Sequence, residues 1–259
     1  MWPAYLINLA DNTERLDRSK AQFDAQGIAF SRIDGVNGWA MSEDELSRVH
    51  DAEGNARIAR HPLVPAEIGC YLSHIDAWRA IAEGDAPGGF IFEDDFAAEG
   101  FLAETLALLT ADAEEGGAWD MVKLFAFDPD ARLLDPRPLG RFTIGIPYRV
   151  PTCLIGYGLT RAAARRLSEG ALPIRRPVDE DQKFFWETGL RVALITPPPI
   201  LVGDQQAATG TIGETRRKAA RNGGFPARRG RLAQAWRSLR YQINYTLRLH
   251  WHRLKGTGR

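Results

Sequence analysis

Residues 88–96 read GGFIFEDDF. After two glycines an apolar run through Phe92 meets three consecutive acids, Glu93, Asp94 and Asp95, before Phe96 resumes the apolar pattern. A short run of this kind reads as a strand buried on both faces, as in a parallel sheet. In open α/β sheets ligands bind beyond the carboxyl ends of the strands, and these acids fall there. Side chains of an extended segment alternate, so Glu93 and Asp95 point to one side and Asp94 to the other. Two carboxylates on one side can share a hard divalent cation, Mg2+ or Mn2+, which can in turn grip phosphate oxygens. The plainer alternative is three solvated acids that end a strand and open a loop.

The flanking sequence supplies an alternating pattern. Residues 4–9, AYLINL, give a strand signal, and residues 13–26 a helix with Leu16 and Phe23 at helical spacing and Gly27 as a stop. IAFSRIDG alternates like a second strand, and residues 39–65, polar and Pro-flanked, are expected to form a loop with a short helix. Residues 66–83 are the clearest helix, with Ile68, Leu72, Ile75, Trp78 and Ile81 in register and Gly84 closing it. Downstream come a helix at FLAETLALLTADAEE, strands at WDMVKLFAF and CLIGYGLT, a helix at TRAAARRLSEG and a strand region at RVALITPPPILV. Residues 128–151, rich in Pro and Arg, are expected to loop over the surface. Strands alternating with helices predict an α/β domain with a mostly parallel central sheet.

Composition narrows the class. The chain has 259 residues, 44% hydrophobic and 25% charged, enough for a sizeable core. Its two cysteines, Cys70 and Cys153, lack disulfide-framework or metal-ligand spacing and read as small core residues in a reducing compartment. The N-terminus lacks the basic start and apolar stretch of a signal peptide, and no run approaches the ~20 residues of a membrane span. A cytoplasmic location is the expectation. The balance of 33 basic against 33 acidic residues conceals an asymmetry. Arg216–Arg259 holds 13 of the Lys and Arg and no acid, leaving 33 − 13 = 20 bases against 33 acids in residues 1–215, a net of −13. An acidic body (1–215) with a basic helical tail (216–259) is therefore expected.

The segments YLINLADNTERLDR, IDGVNG, AEIGCYLSHIDAW, GGFIFEDDF and DMVKLF follow one another in that order. Together they resemble glycosyltransferase family 25, which includes bacterial lipopolysaccharide and lipooligosaccharide glycosyltransferases, many of them galactosyltransferases, and is related to the collagen galactosyltransferases. The resemblance covers roughly residues 4–215. It implies a GT-A-type, Rossmann-like fold and a UDP-sugar donor. It also implies Mn2+ (or Mg2+) held by Asp95 with Asp94 or Glu93 and bound to the donor diphosphate. The expected reaction transfers a hexose, most plausibly galactose from UDP-galactose with inversion, to a hydroxyl of a glycolipid or oligosaccharide acceptor.

Several further residues are singled out by that comparison. Asn8, Arg15 and Arg18 match the I-N-L…R motif, where the nucleotide is received; Arg15 and Arg18 lie on one helix face, which could equally be an ordinary solvated face beside Glu14 and Asp17. Glu67, Ser73 and His74 are placed near the site, although a lone histidine on an apolar helix also suits a satisfied core position. Lys123 would end a central strand, either pairing with the diphosphate or the acids, or serving as a plain strand-end lysine. In PVDEDQKFFWE, residues 177–187, Asp179, Glu180 and Asp181 open a helix, where the dipole alone favours acids. An inverting transferase also needs a carboxylate to take the acceptor proton; the resemblance points to Asp179, with Asp181 the other candidate.

Two departures stand out. No histidine lies between His74 and His250 to complete a metal shell, leaving water or Asp204 to fill it. Gly158 occupies a place where the resemblance implies a larger apolar residue, which could loosen acceptor specificity.

The tail carries its own signal. Residues 228–255 place Leu232, Trp236, Leu239, Ile243, Leu247 and Leu254 on one helical face among arginines. Such a helix suits an anionic membrane surface, which would hold the protein peripherally on the cytoplasmic face of the inner membrane. Docking on the acidic body is the second reading, and nucleic-acid binding is disfavoured. Rivals to a transferase are a metal-dependent phosphohydrolase using the same acids, and an inactive adaptor that binds a membrane or nucleic acid through its tail.

Overall fold

The computed structural model describes residues 1–203, 229–256 and 258. The chain begins with β1 (Ala4–Asn8), α1 (Thr13–Asp24) and β2 (Phe30–Asp34), then a single 3-10 turn at Gly38–Ala40. Two short helices, α2 (Glu43–Val49) and α3 (Ala52–Ile58), stand where a loop with one helix is expected, followed by the long α4 (Pro65–Glu83). Next come β3 (Gly88–Glu93), β4 (Phe96–Ala98), α5 (Leu102–Glu114), β5 (Met121–Lys123), β6 (Leu133–Leu139) and β7 (Phe142–Pro147). The remainder is β8 (Gly156–Thr160), α6 (Arg161–Gly170), α7 (Val178–Asp181), α8 (Phe185–Thr188), β9 (Val192–Thr196), β10 (Ile200–Val202) and α9 (Arg229–Leu254).

The main sheet has eight strands in the order β2-β1-β3-β8-β5-β9-β7-β6. β1 is parallel to β2 and β3, and β5 to β9. β8 runs antiparallel between β3 and β5, and β7 antiparallel to both β9 and β6. Thus β1, β2, β3, β5, β6 and β9 share one direction, as the expected Rossmann-like sheet requires, and β7 and β8 oppose it. The reversal of β8 matters for position. It brings the segment leading into that strand to the edge where β3 and β5 end.

The opening motif sits at the centre. Phe90, Ile91 and Phe92 are all 0% exposed, and their alternation serves both faces of the sheet. Phe90 and Phe92 join Phe23, Leu106 and Leu109 from α1 and α5, whereas Ile91 joins Ile75, Trp78 and Leu167 from α4 and α6. Burying each such side chain stabilises the fold by about 1.5–3 kcal/mol. Gly158 belongs to this core. A Cβ there would lie 2.8 Å from the Phe90 ring and 3.0 Å from Val122. Its small size makes room for Phe90 and Val122.

The region 128–151 departs from expectation. It forms the β6–β7 hairpin at the sheet edge, joined through Gly140 at φ +58°. Its prolines hid it: Pro136 and Pro138 lie in β6, an edge strand whose pairing shifts register between Leu134 and Arg137, the setting in which a sheet tolerates proline. A second, two-stranded sheet pairs β4 with β10.

α9 lies on the body. Tyr241, Tyr245 and Leu249 are buried, with Tyr245 edge-on to Phe184 at 5.4 Å. Arg253 is 4% exposed; its guanidinium donates to the carbonyls of Pro147 and Tyr148 and covers the Phe185 ring. The expected tail therefore docks, and the expected boundary at 215 lies outside the described residues.

Candidate functional site

The C-terminal ends of β1, β3 and β5 deliver Asn8, Glu93 and Lys123 to one edge of the sheet. β3 ends at Glu93 and a turn at Asp94–Asp95 leads into β4. Alternation holds across the first two acids. Glu93 faces α4, where His74 Nε2 lies 3.1 Å from its Oε1. Asp94 faces α1, accepting from Asn8 Nδ2 at 2.7 Å and forming an ion pair with Arg15 Nη1 at 2.9 Å.

Asp95 is different. Its Oδ1 is buried with no hydrogen-bond partner among the described residues. Burial, with the charge of Glu93 next, pushes its carboxyl up to about 7. Two close carboxylates, one of them with an orphaned oxygen in a low-dielectric setting, form an oxygen donor set that a hard dication would satisfy. The residues fit the metal that the acidic strand end implies. Gly203 N–H donates to the Asp95 carbonyl at 2.8 Å; Asp204, the expected auxiliary ligand, lies outside the described residues.

α4 shows why its sequence reads as it does. Pro65 starts the helix, and Glu67 Oε2 accepts the Val64 N–H at 2.9 Å, so this buried acid caps its own helix while lining the pocket. Ser73 Oγ accepts the Val36 N–H at 2.8 Å, fastening the 34–38 loop to the helix. His74 is 0% exposed, with Nδ1 2.7 Å from the Tyr157 hydroxyl and Nε2 toward Glu93. The two readings of this histidine merge: it is a satisfied core group that also orients a site carboxylate. Cys70, His74 and Glu93 place donor atoms within 4.8 Å of one another.

A pocket of about 210 Å3 lies here, lined among others by Glu67, Cys70, Glu93, Phe127, Cys153 and Asp179. Both cysteines border it, each partly buried and packed against one side of the core. Burial, followed by the charge of Glu93, raises the Cys70 thiol and pushes Cys153 up to about 12, so both are neutral thiols at pH 7. Lys123 is 0% exposed and donates to the Cys153 carbonyl. Burial pushes its ammonium down to about 8, while Asp179 and Glu93 act to retain the charge. Cys153 has φ +78°, a strained conformation for a residue with a side chain, and it turns its carbonyl to Lys123 and its N–H to Asp179 Oδ2 at 3.3 Å.

The acids of α7 separate. Asp179 lines the pocket. Asp181 is tied up, accepting from the Tyr71 hydroxyl at 2.8 Å and from Arg176 at 2.7 Å. Arg176 also bridges to Glu187, which pairs with Arg248 of α9. Glu180 Oε2 is buried without a hydrogen-bond partner among the described residues. Arg18 is not brought to the cluster: it pairs with Glu14 on the exposed side of α1. Asn8 is buried and held by Asp94, Asn12 and Arg32. Phe127, Cys153 and Arg176 carry no sequence signal of their own. Phe127 lies just past the C-terminal end of β5, in a segment read as strand, and Cys153, read as a small core residue, is brought here by the reversal of β8.

Fold and pocket define an α/β protein whose sheet edge gathers acids, a buried lysine and an exposed aromatic at one pocket. Residues 1–127 match the family model for glycosyltransferase family 25 (LPS biosynthesis protein). The chain is 27% identical over 183 residues to a glycosyltransferase 25 family member of Anopheles gambiae, covering 68% of this chain and 30% of that one. It is likewise 27% identical over 186 residues to procollagen galactosyltransferase 1-A of Xenopus laevis, again 68% and 30%. The inactive glycosyltransferase 25 family member 3 of Homo sapiens is 28% identical over 184 residues, with the same coverage. The chain thus spans about 30% of the length of these relatives.

Proposed function

We propose that the protein is a metal-dependent glycosyltransferase. It moves a hexose, galactose from UDP-galactose in the leading form of the reading, onto a hydroxyl of a lipopolysaccharide, lipooligosaccharide or other surface glycan at the cytoplasmic face of the inner membrane. The observation that carries the reading is the buried, unpartnered Asp95 oxygen beside Glu93, within the stretch that matches the family. Mn2+ or Mg2+, when bound, supplies Lewis-acid stabilisation of the departing diphosphate. Glu93 and Asp95 would hold it. Asp94, fixed by Asn8 and Arg15, keeps the turn in place, and Lys123 provides a positive charge behind the pocket. Asp179, which lines the pocket, would take the acceptor hydroxyl proton as that oxygen attacks the anomeric carbon, and Phe127, 64% exposed at the pocket, would offer a flat apolar surface to a sugar ring.

The test is product formation, followed by mass spectrometry, from a panel of nucleotide-hexoses with Mn2+ and truncated lipooligosaccharide acceptors. Transfer that requires both metal and acceptor supports the reading. Release of phosphate from simple esters without acceptor supports the phosphohydrolase, and no metal-dependent nucleotide binding supports the inactive adaptor, a possibility made concrete by the inactive human relative. Asp179→Asn is expected to lower the rate by about 10²–10⁴-fold, as loss of a general base does, with little change in melting temperature. Asp181→Asn breaks a pairing with Arg176 and Tyr71 and should lower the melting temperature more than the rate. The reverse pattern would move the base to Asp181.

A further inference from the structure

Among the described residues no helix is long and apolar enough to cross a membrane, yet α9 presents two opposed faces. At 100° per residue, Tyr241, Tyr245, Leu249 and Arg253 form the face docked on the body. Trp236, Leu239, Ile243, Leu247, Trp251 and Leu254 fall within an arc of about 120° on the other side. Those six are 49–86% exposed. A docked helix ordinarily turns its leucines inward; this one turns two tyrosines and Leu249 inward but Leu239, Leu247 and Leu254 outward. We infer that the outward face of α9 is a docking surface for an anionic lipid bilayer.

The charge pattern selects this occupant. α9 contains no acid, and Arg237, Arg240 and Lys255 accompany the stripe, with Arg57 and Arg60 of the neighbouring α3 region beside it. Two such helices packed together, as in a dimer of this chain, would oppose like charges. A nucleic acid would satisfy the arginines and leave Leu and Ile in water. The segment 204–228 contributes only Ile212 and Phe225 as large apolar residues and is itself basic, too little to cover six. A bilayer with anionic headgroups satisfies both features: acyl chains take the stripe, tryptophans suit the interfacial region near each end, and each Lys or Arg at the surface adds about 1 kcal/mol. The surface stands beside the acidic segment, since Arg248 of α9 reaches Asp181 through Glu187 and Arg176.

The experiment is flotation of the full chain with phosphatidylcholine vesicles, alone or containing phosphatidylglycerol, at low and high salt. The wild type should float with the anionic vesicles and be released by salt. Ile243→Ser/Leu247→Ser, exposed positions whose change should leave the melting temperature intact, should partition on the order of tenfold more weakly. Failure to float, or flotation unchanged by the double variant, overturns the inference. So does sedimentation of the wild type as a dimer that the variant dissociates. Because UDP- and metal-dependent stabilisation is read separately on the same variant, loss of membrane binding and failure of the transferase reading remain distinguishable.

Discussion

Asp95→Asn is expected to abolish the thermal stabilisation that UDP and Mn2+ together confer, and to lower transfer by about 10³-fold, the several kcal/mol a catalytic metal contributes. The substitution removes a charged donor while keeping the shape of the turn. Its pH dependence gives a readout independent of turnover. The Asp95 carboxyl lies at about 7 in the folded protein against an ordinary 3.8, so between these values the folded state holds a proton that the unfolded state has released. The contribution of Asp95 to stability in chelator therefore falls as pH rises from about 4 to about 7. Asp95→Asn removes that loss and should be the more stable protein above neutrality in chelator. Metal binding, which needs the carboxylate, strengthens over the same window. Metal-dependent stabilisation that survives in Asp95→Asn would exclude Asp95 from the metal site, and a wild type and Asp95→Asn whose difference in chelated stability does not change between about pH 4 and 7 would rule out the raised carboxyl.

Gly69→Ala is expected to unfold the protein or lower its melting temperature by roughly 10 °C or more. In an ordinary helix interior this change stabilises, by up to about 1 kcal/mol. Here the sign reverses. A Cβ on Gly69 would lie 2.4 Å from the Val36 carbonyl oxygen and 2.5 Å from the Gly38 nitrogen, while one on Gly38 would lie 1.8 Å from the Pro65 carbonyl oxygen. These are backbone atoms, which cannot swing aside. Separating α4 from the 34–38 loop would also break the Ser73–Val36 hydrogen bond and disturb the helix that carries His74. A loss above about 3 kcal/mol moves the midpoint of a protein of this size by about 2–4 °C per kcal/mol. Gly170→Ala is the control, since a Cβ there meets nothing within 4 Å. Equal melting temperatures for the two variants would refute the close-approach argument.

Legibility in the sequence followed physical range. The strand ending in Glu93 and the helix through Trp78 were readable because apolar period and length are local properties. The same alternation assigned Glu93 and Asp94 to opposite sides, and both found partners there. What could not be read is set by long-range topology. Nothing local in GYGLT says that β8 runs against its neighbours, yet that reversal carries Cys153 to Lys123 and Asp179. The β6–β7 hairpin was masked by its prolines. On α9 the period was legible but not its sense: spacing identifies the Leu–Trp face without saying whether it points in or out. The separation of Asp179 from Asp181 likewise depends on Arg176 and Tyr71, the latter 110 residues from Asp181 in the chain.

The docked face of α9 bears on where the protein may be cut. Composition invites a shortened form ending near residue 215, since the charge changes character there. Such a product would strip Tyr241 and Tyr245 from Phe184 and Tyr245 from Trp186, remove the buried Leu249, and leave Glu187 without Arg248 and Arg176 with one fewer constraint on its geometry. The shortened protein should melt lower and aggregate through the uncovered aromatics, as differential scanning fluorimetry and light scattering would reveal. Deletion of the basic stretch is thus no clean subtraction of a targeting element. It is surgery on the wall behind the acidic helix start.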